Sequence, residues 1–319
     1  RKLTSYYFWR FGYVFSNIFY DLENAVEAYN TGLKKKGNSV NLLIDSGNLY
    51  LQKSINYVGI KDELKADFYL KSKKNLARAR QLLIDQINNK EKNDQKIEDS
   101  LKLAEVYIYE EDYEKAEKCL IDLLEKDKGL VHSTKIFTDL GVLYTRRKDY
   151  EKSIKYFQKA LALVPDNFTV ASNLAEACLR LELFERAERH YKAILDVAPN
   201  HIESNIGLGE VYIKKAEKGD KSFYEQAIYY LSKALDIKEG SKVLQDKEKA
   251  EIRYLRGYAR TKLFEVSRSI EAIQLFRDAL NDFKESREKS PKSSSIYYNS
   301  DKAVKKLGNQ YNPTSPQNG

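Results

Sequence analysis

The sequence has no methionine, two cysteines, five prolines, fourteen glycines, one tryptophan and three histidines in 319 residues. Each scarcity excludes something. Cys119 and Cys178 have no metal-ligand spacing and cannot make a disulfide framework, so they read as two small buried thiols. So few prolines and glycines leave too little turn chemistry for an all-β chain. His132, His190 and His201 are too scattered for a metal site or a catalytic triad. No Gly-rich phosphate loop, His-Glu-x-x-His or Gly-x-Ser-x-Gly occurs. Acidic pairs such as Glu110-Glu111 suit exposed turns better than acid–base work. Neither an enzyme nor a cofactor is expected.

Charge is abundant but mixed. Lys and Arg number 55 against 47 Asp and Glu, for a net charge of +8. The signs interleave along the chain, as on solvated helix faces, whereas a nucleic-acid footprint concentrates its excess on one face. Part of the excess lies in "LKKKGN" at 33–38 and "KAVKKLG" at 302–308. Hydrophobic content of 42% and charged content of 32% suit a folded, helix-rich chain.

A period runs through the chain. "TKIFTDLGVLYTRRKDYEKSIKYFQKALALVPDN" (134–167) aligns without a gap on "FTVASNLAEACLRLELFERAERHYKAILDVAPNH" (168–201). Leu140-Gly141 falls over Leu174-Ala175, Tyr144 over Cys178, Phe157 over Tyr191 and Pro165 over Pro199. Each unit holds two stretches with apolar residues at three- and four-residue intervals, separated by a short polar break. Gly141 and Ala175 stand where two helices approach closely, and large residues such as Tyr144 and Phe157 fill the space beside them.

This pattern resembles the tetratricopeptide repeat, a helix–turn–helix unit of about 34 residues with Leu-Gly, Tyr, Ala, Phe and Pro at these relative places. Phe137 stands where the family prefers Trp, and Ser153 where it prefers Ala. The register extends to 97–130, to 202–241 with about six extra residues ("EKGDKS"), and to 250–287 with about three. Residues 40–96 fit as a divergent pair: Gly47 and Tyr50 mark a first helix, Ala79 and Leu83 a second, with an insertion near 55–76. Residues 288–308 read as a linker and a capping helix, and 309–319 as a disordered tail.

The N-terminal stretch needs separate argument. Nine of the fifteen residues from Tyr6 to Tyr20 are aromatic, yet Arg10, Ser16 and Asn17 interrupt them. A membrane span needs about twenty consecutive apolar residues. Aligned on the period, Trp9 takes the family's Trp place, Trp9 to Asn17 a first helix and Leu22 to Leu33 its second, so 1–39 reads as an aromatic-rich helical pair. The chain begins with Arg1 rather than Met, so a leader or tether upstream stays open.

The resemblance implies an all-α, right-handed solenoid of about six to seven helix pairs with a C-terminal cap. It also implies a non-catalytic scaffold or adaptor that binds a protein or peptide in a concave groove formed by the first helices. Alignment puts Thr138, Val142, Thr145 and Arg146 on that groove in one unit, and Ser172, Asn173, Glu176, Leu179 and Arg180 in the next. Ile206, Glu210, Ile213 and Lys214 follow in the third. Arg146, Arg180, Lys214 and Lys262 recur at one place per unit and would form a basic rim, although the family commonly carries Lys there for solubility. A two-carboxylate clamp of the chaperone-binding kind is not expected. Asn173 fits one of its places, but Thr138, Val142, Glu203 and Gly207 fill the others. The cytoplasm is the expected compartment, with a membrane-anchored or extracytoplasmic site as the alternative if a leader precedes Arg1. Two rival functions stay open: a membrane-tethered assembly factor, and a nucleic-acid-binding or regulatory repeat protein using the basic rim.

Overall fold

The computed structural model describes residues 22–56, 62–89, 94–127, 132–237, 246–267, 272–290, 292 and 294–310. These form fourteen helices, with no strand among the described residues. The expected helix at Trp9–Asn17 and most of the expected tail lie outside them. The chain divides into two compact units, residues 1–182 and 183–319.

The first unit contains α1 (Leu22–Lys35), α2 (Val40–Asn56), α3 (Asp62–Asn89), α4 (Asp94–Tyr109), α5 (Tyr113–Lys126), α6 (Ser133–Arg146), α7 (Tyr150–Leu163) and α8 (Phe168–Arg180). Each helix packs on the next; in addition α4 touches α6, and α6 touches α8, so first helices neighbour first helices. The amphipathic spacing explains why. In α5 the buried residues are Ala116, Leu120 and Leu123; in α7 they are Ser153, Ile154, Phe157 and Ala160. Each such stripe covers one face, and only a neighbouring helix can bury it.

The turns within pairs follow one rule. Glu111 (φ 63°) and Lys148 (φ 61°) adopt the left-handed conformation. Asp112 N–H then donates to Tyr107 O, and Asp149 N–H to Tyr144 O, both at 2.9 Å, closing Schellman motifs. The same aspartates cap the following helices, accepting from the backbone N–H of Lys115 and Lys152. Glu182 (φ 57°) repeats the left-handed turn, but Leu183 stands in the capping place and offers no side-chain oxygen.

Small residues set the helix spacing. A Cβ on Gly141 would lie 2.5 Å from Phe157 Cδ1, so the ring sits directly on the backbone of α6. Gly47 meets Leu76 in the same way, at 2.8 Å. The 28-residue α3 takes up most of the insertion near 55–76, and its N-terminal half leaves Leu64, Tyr69 and Leu70 exposed.

The second unit contains α9 (Phe184–Val197), α10 (Ile202–Lys218), α11 (Phe223–Asp236), α12 (Asp246–Val266), α13 (Ala272–Lys289) and α14 (Ser295–Gln310). The extra residues at 217–222 do not all fall in the turn: α10 runs on to Lys218. Cβ atoms at Gly207 and Gly209 would come within 2.5 Å of Tyr191 Cε2 and Leu231 Cγ. Asp282, almost fully buried, accepts from Arg256 and Arg260, and α14 covers the last pair with Leu307 inward. No helix of the described residues is long and apolar enough to cross a membrane.

A polar latch recurs at the joints between pairs. The residue after the small alanine of a second helix meets the residue three after the tyrosine place of the next first helix. Arg80 pairs with Glu110 at 3.0 Å, and Glu117 with Arg147 at 2.7 Å. Glu188 pairs with Lys215 at 2.8 Å. Tyr144 Oη also donates to Glu117, and Tyr212 Oη to Glu188 at 2.8 Å. At the α7–α8 joint the same places hold Ile154 and Leu181, and the tyrosine place holds Cys178.

Candidate partner-binding face

In the first unit the first helices α2, α4 and α6 are linked by a row of polar contacts. Asn48 Nδ2 donates to Tyr109 Oη at 3.3 Å, Tyr109 Oη donates to Glu105 Oε1 at 2.9 Å, and the Arg146 guanidinium lies 5.6 Å over the Tyr109 ring. Burial, then the nearby Glu105 carboxylate, raises the Tyr109 phenol well above its ordinary range, so it stays a donor.

Beside this row, Asp139 is buried. Its Oδ1 accepts from Lys135 Nζ at 2.7 Å, and its Oδ2 has no hydrogen-bond partner among the described residues. Burial pushes the Asp139 carboxyl up to about 6, Glu105 adds to it, and Lys135 opposes it.

The expected site residues divide by depth. Thr138, Val142 and Thr145 on α6 are half-buried, as are Ser172, Asn173 and Glu176 on α8; Leu179 is buried. Thr138 Oγ1 donates to Thr134 O, and Thr145 Oγ1 lies 2.9 Å from Gly141 O and 2.6 Å from Ser153 Oγ, so both hydroxyls are engaged within the fold. The exposed Arg180 pairs with Glu176 at 2.6 Å. In the second unit Ile206 and Glu210 are half-buried, Ile213 is buried, and the exposed Lys214 pairs with Glu217 at 2.9 Å. Lys262 pairs with Glu265 at 2.7 Å. The cations of the expected rim are therefore each engaged on their own helix or on a ring.

Sequence reasoning passed over Asn48, Tyr109, Lys135 and Asp139. Two of them carried a usable signal. Tyr109 occupies the repeat place of Arg146, and Asp139 that of Asn173.

The remaining polar residues are structural. Cys178 is buried; the half-buried Cys119 donates its thiol to Ser100 O at 3.4 Å, and burial pushes that thiol up to about 11, far from nucleophilic use. His201 caps α10, its Nδ1 accepting from Ser204 N–H at 3.2 Å. Burial lowers the His190 imidazole, and Arg186 and Arg189 lower it further. Among the described residues no three His, Cys, Asp or Glu side chains are grouped to hold a metal ion.

Known proteins share this architecture. Residues 96–166 and 132–200 match the family described as "Tetratricopeptide repeat". Protein FlbA of Caulobacter vibrioides is 31% identical over 98 residues, which cover 31% of this chain and 16% of that protein. This chain thus spans only a small part of that relative. A tetratricopeptide repeat protein from Parabacteroides merdae superposes with a TM-score of 0.50 at 17% identity, over 95% of this chain and 98% of that one. The human IFIT1 dimer with PPP-AAAA gives a TM-score of 0.62 at 14% identity, over 91% of this chain and 60% of that one. At these identities the structural likeness concerns the fold. Helix pairs, Schellman turns, the Gly–aromatic contact and the matched repeats agree: residues 96–200 are tetratricopeptide repeats, and the chain shares the fold of tetratricopeptide repeat proteins.

Proposed function

We propose that this chain is a non-catalytic scaffold whose first-helix face receives an extended segment or a helix of a partner protein. The tetratricopeptide repeat fold serves protein–protein interaction in general, and its members are generally non-catalytic. The observation that carries the reading is the linked row Asn48–Tyr109–Arg146 across three consecutive first helices, flanked by half-buried Thr138, Val142 and Asn173. A face that is part apolar, already internally bonded and incompletely buried presents shape without a large reorganisation cost.

The test is affinity capture from the source cell with the wild-type chain and with V142R/N173R, followed by calorimetry on each partner recovered. The expected result is a partner retained by the wild type and weakened at least tenfold by the double variant. The same partners at unchanged affinity would move binding off this face. Reversal of charge at Arg146 and Arg180 together should weaken an acidic partner severalfold; unchanged affinity removes any role for the basic rim.

A further inference from the structure

A cleft of about 570 Å³ opens over α7, outside the first-helix face; Tyr144 of α6 and Lys152, Lys155, Tyr156 and Lys159 of α7 line it. Its floor is aromatic. Tyr144 and Tyr156 stack with centroids 5.4 Å apart and planes 4° from parallel, and Phe137 tilts against Tyr156 at 6.3 Å. Its rim is basic. Lys152 Nζ lies 4.9 Å from the Tyr144 ring centre, and Lys159 Nζ lies 5.3 Å from that of Tyr156. Positions 152, 155 and 159 share one face of the helix. Lys152 reaches the Asp149 carboxylate at 3.5 Å, while Lys155 and Lys159 have no carboxylate partner among the described residues.

The ordinary explanation of such lysines is that their stems cover rings that the fold needs. The second unit argues against that as the whole account. Tyr212 and Tyr230 stack there in the same repeat places, at 5.7 Å. The cations beside that stack, Lys192 and Lys215, are held by Glu188 at 2.7 and 2.8 Å. Places 155 and 152 are there Tyr229 and Gln226, and only place 159 keeps a lysine, Lys233. The aromatic stack therefore recurs with one lysine on that face instead of three, and the three-lysine rim is particular to α7.

We propose that this cleft docks an acidic segment of a partner protein that also carries an aromatic or large aliphatic side chain. The apolar group lies on Tyr144 and Tyr156, and carboxylates pair with Lys155 and Lys159. Charge complementarity selects the occupant. A nucleic acid fits worse: the lysines extend over only about 10 Å of helix, and Asp149 and Glu151 at its start would meet a continuing phosphate chain. This surface is separate from the first-helix face, and its occupancy does not depend on the reading of that face.

The experiment is fluorescence anisotropy on the full chain with three labelled probes: a ten-residue peptide of alternating Glu and Phe, an all-Glu ten-mer and a ten-nucleotide single-stranded RNA. The Glu/Phe peptide should bind saturably and tightest of the three. Its affinity should fall about tenfold or more in K155E/K159E and stay within twofold in K155R/K159R. Circular dichroism checks that the exposed substitutions leave the fold intact. The proposal is overturned by equal affinity for K155E/K159E, by equal binding of the all-Glu peptide, by tighter binding of the RNA, or by no saturable binding at millimolar peptide.

Discussion

Replacing glycine by alanine in a helix interior ordinarily gains about 1 kcal/mol, because the glycine backbone loses more freedom on folding. Two helical glycines of this chain separate that gain from packing. Beyond its chain neighbours and its own helix backbone, Gly308 in α14 has no atom within 4 Å of where a Cβ would stand, so Gly308→Ala should stabilise the fold by up to about 1 kcal/mol. Gly141 in α6 would place its Cβ 2.5 Å from Phe157 Cδ1 and 2.9 Å from Cζ. The Phe157 ring is 1% exposed and cannot swing into solvent. Moving it or the backbone costs about 1–3 kcal/mol of overpacking strain, against the propensity gain of about 1. Gly141→Ala should therefore give no net gain and destabilise by up to about 2 kcal/mol, so that one chemical change has opposite effects at the two sites. Urea titration followed by circular dichroism gives the magnitudes, and native-state hydrogen exchange of the α6 and α7 amides localises the loss. Phe157→Leu alone should cost about 1 kcal/mol, yet added to Gly141→Ala it should recover part of the loss, with a coupling energy of about 1 kcal/mol or more. Equal stabilisation by both alanines, or no coupling to Phe157, would refute the close-approach argument.

Glu188 gives a pH test. Burial pushes its carboxyl up, but hydrogen bonds from Lys192, Lys215 and Tyr212 outweigh that and hold it at about 2, below its ordinary 4.5. Its contribution is complete above pH 4.5 and is lost as pH falls toward 2, so Glu188→Gln should cost on the order of 2–3 kcal/mol at pH 7 and flatten the acid limb of the stability curve. Asp139 has the opposite sign. Its folded value of about 6 exceeds its ordinary 3.8, so it favours folding below pH 4 and loses that contribution as pH rises through 6. Asp139→Asn should accordingly be the more stable form at pH 7, by about 1–2 kcal/mol, and should lose that advantage at pH 4; a loss at pH 7 would contradict the buried-charge argument. At the third left-handed turn Leu183→Asp restores the capping oxygen that Asp112 and Asp149 supply elsewhere. It should raise urea resistance by about 1 kcal/mol.

The helix pairs were legible because each unit repeats the same packing problem. Gly141 needed a large partner, and Phe157 stands where the second helix returns to meet it. Depth on the first-helix face was harder to read. Thr145, Ile108, Leu179 and Ile213 share one repeat place, yet the threonine is half-buried with its hydroxyl on Gly141 O, while the three aliphatic side chains are buried. Alignment assigns a place to a face, but whether the side chain there sinks inward depends on its polarity and its neighbours. The row through Tyr109 was missed because its members belong to different units and different residue types. The opposed signs of Arg80–Glu110 and Glu117–Arg147 likewise emerge only when residues about thirty apart are brought together.

Those joints also carry information about sequence order. Arg80 is received by glutamate, Glu117 and Glu188 by basic residues, and Ile154 by leucine. A unit therefore accepts its natural neighbour but not an arbitrary one. Duplicating the α4–α5 pair so that one copy follows the other would set Glu110 of the second copy against Glu117 of the first, and like charges at that contact oppose stacking. The geometry of the units is interchangeable; their seams are not. A circularly shuffled or duplicated array should stack poorly unless its seam residues are exchanged with it. The chain's order is thus written partly in the sign of charge at each seam, a constraint that the regularity of the repeat would otherwise leave free.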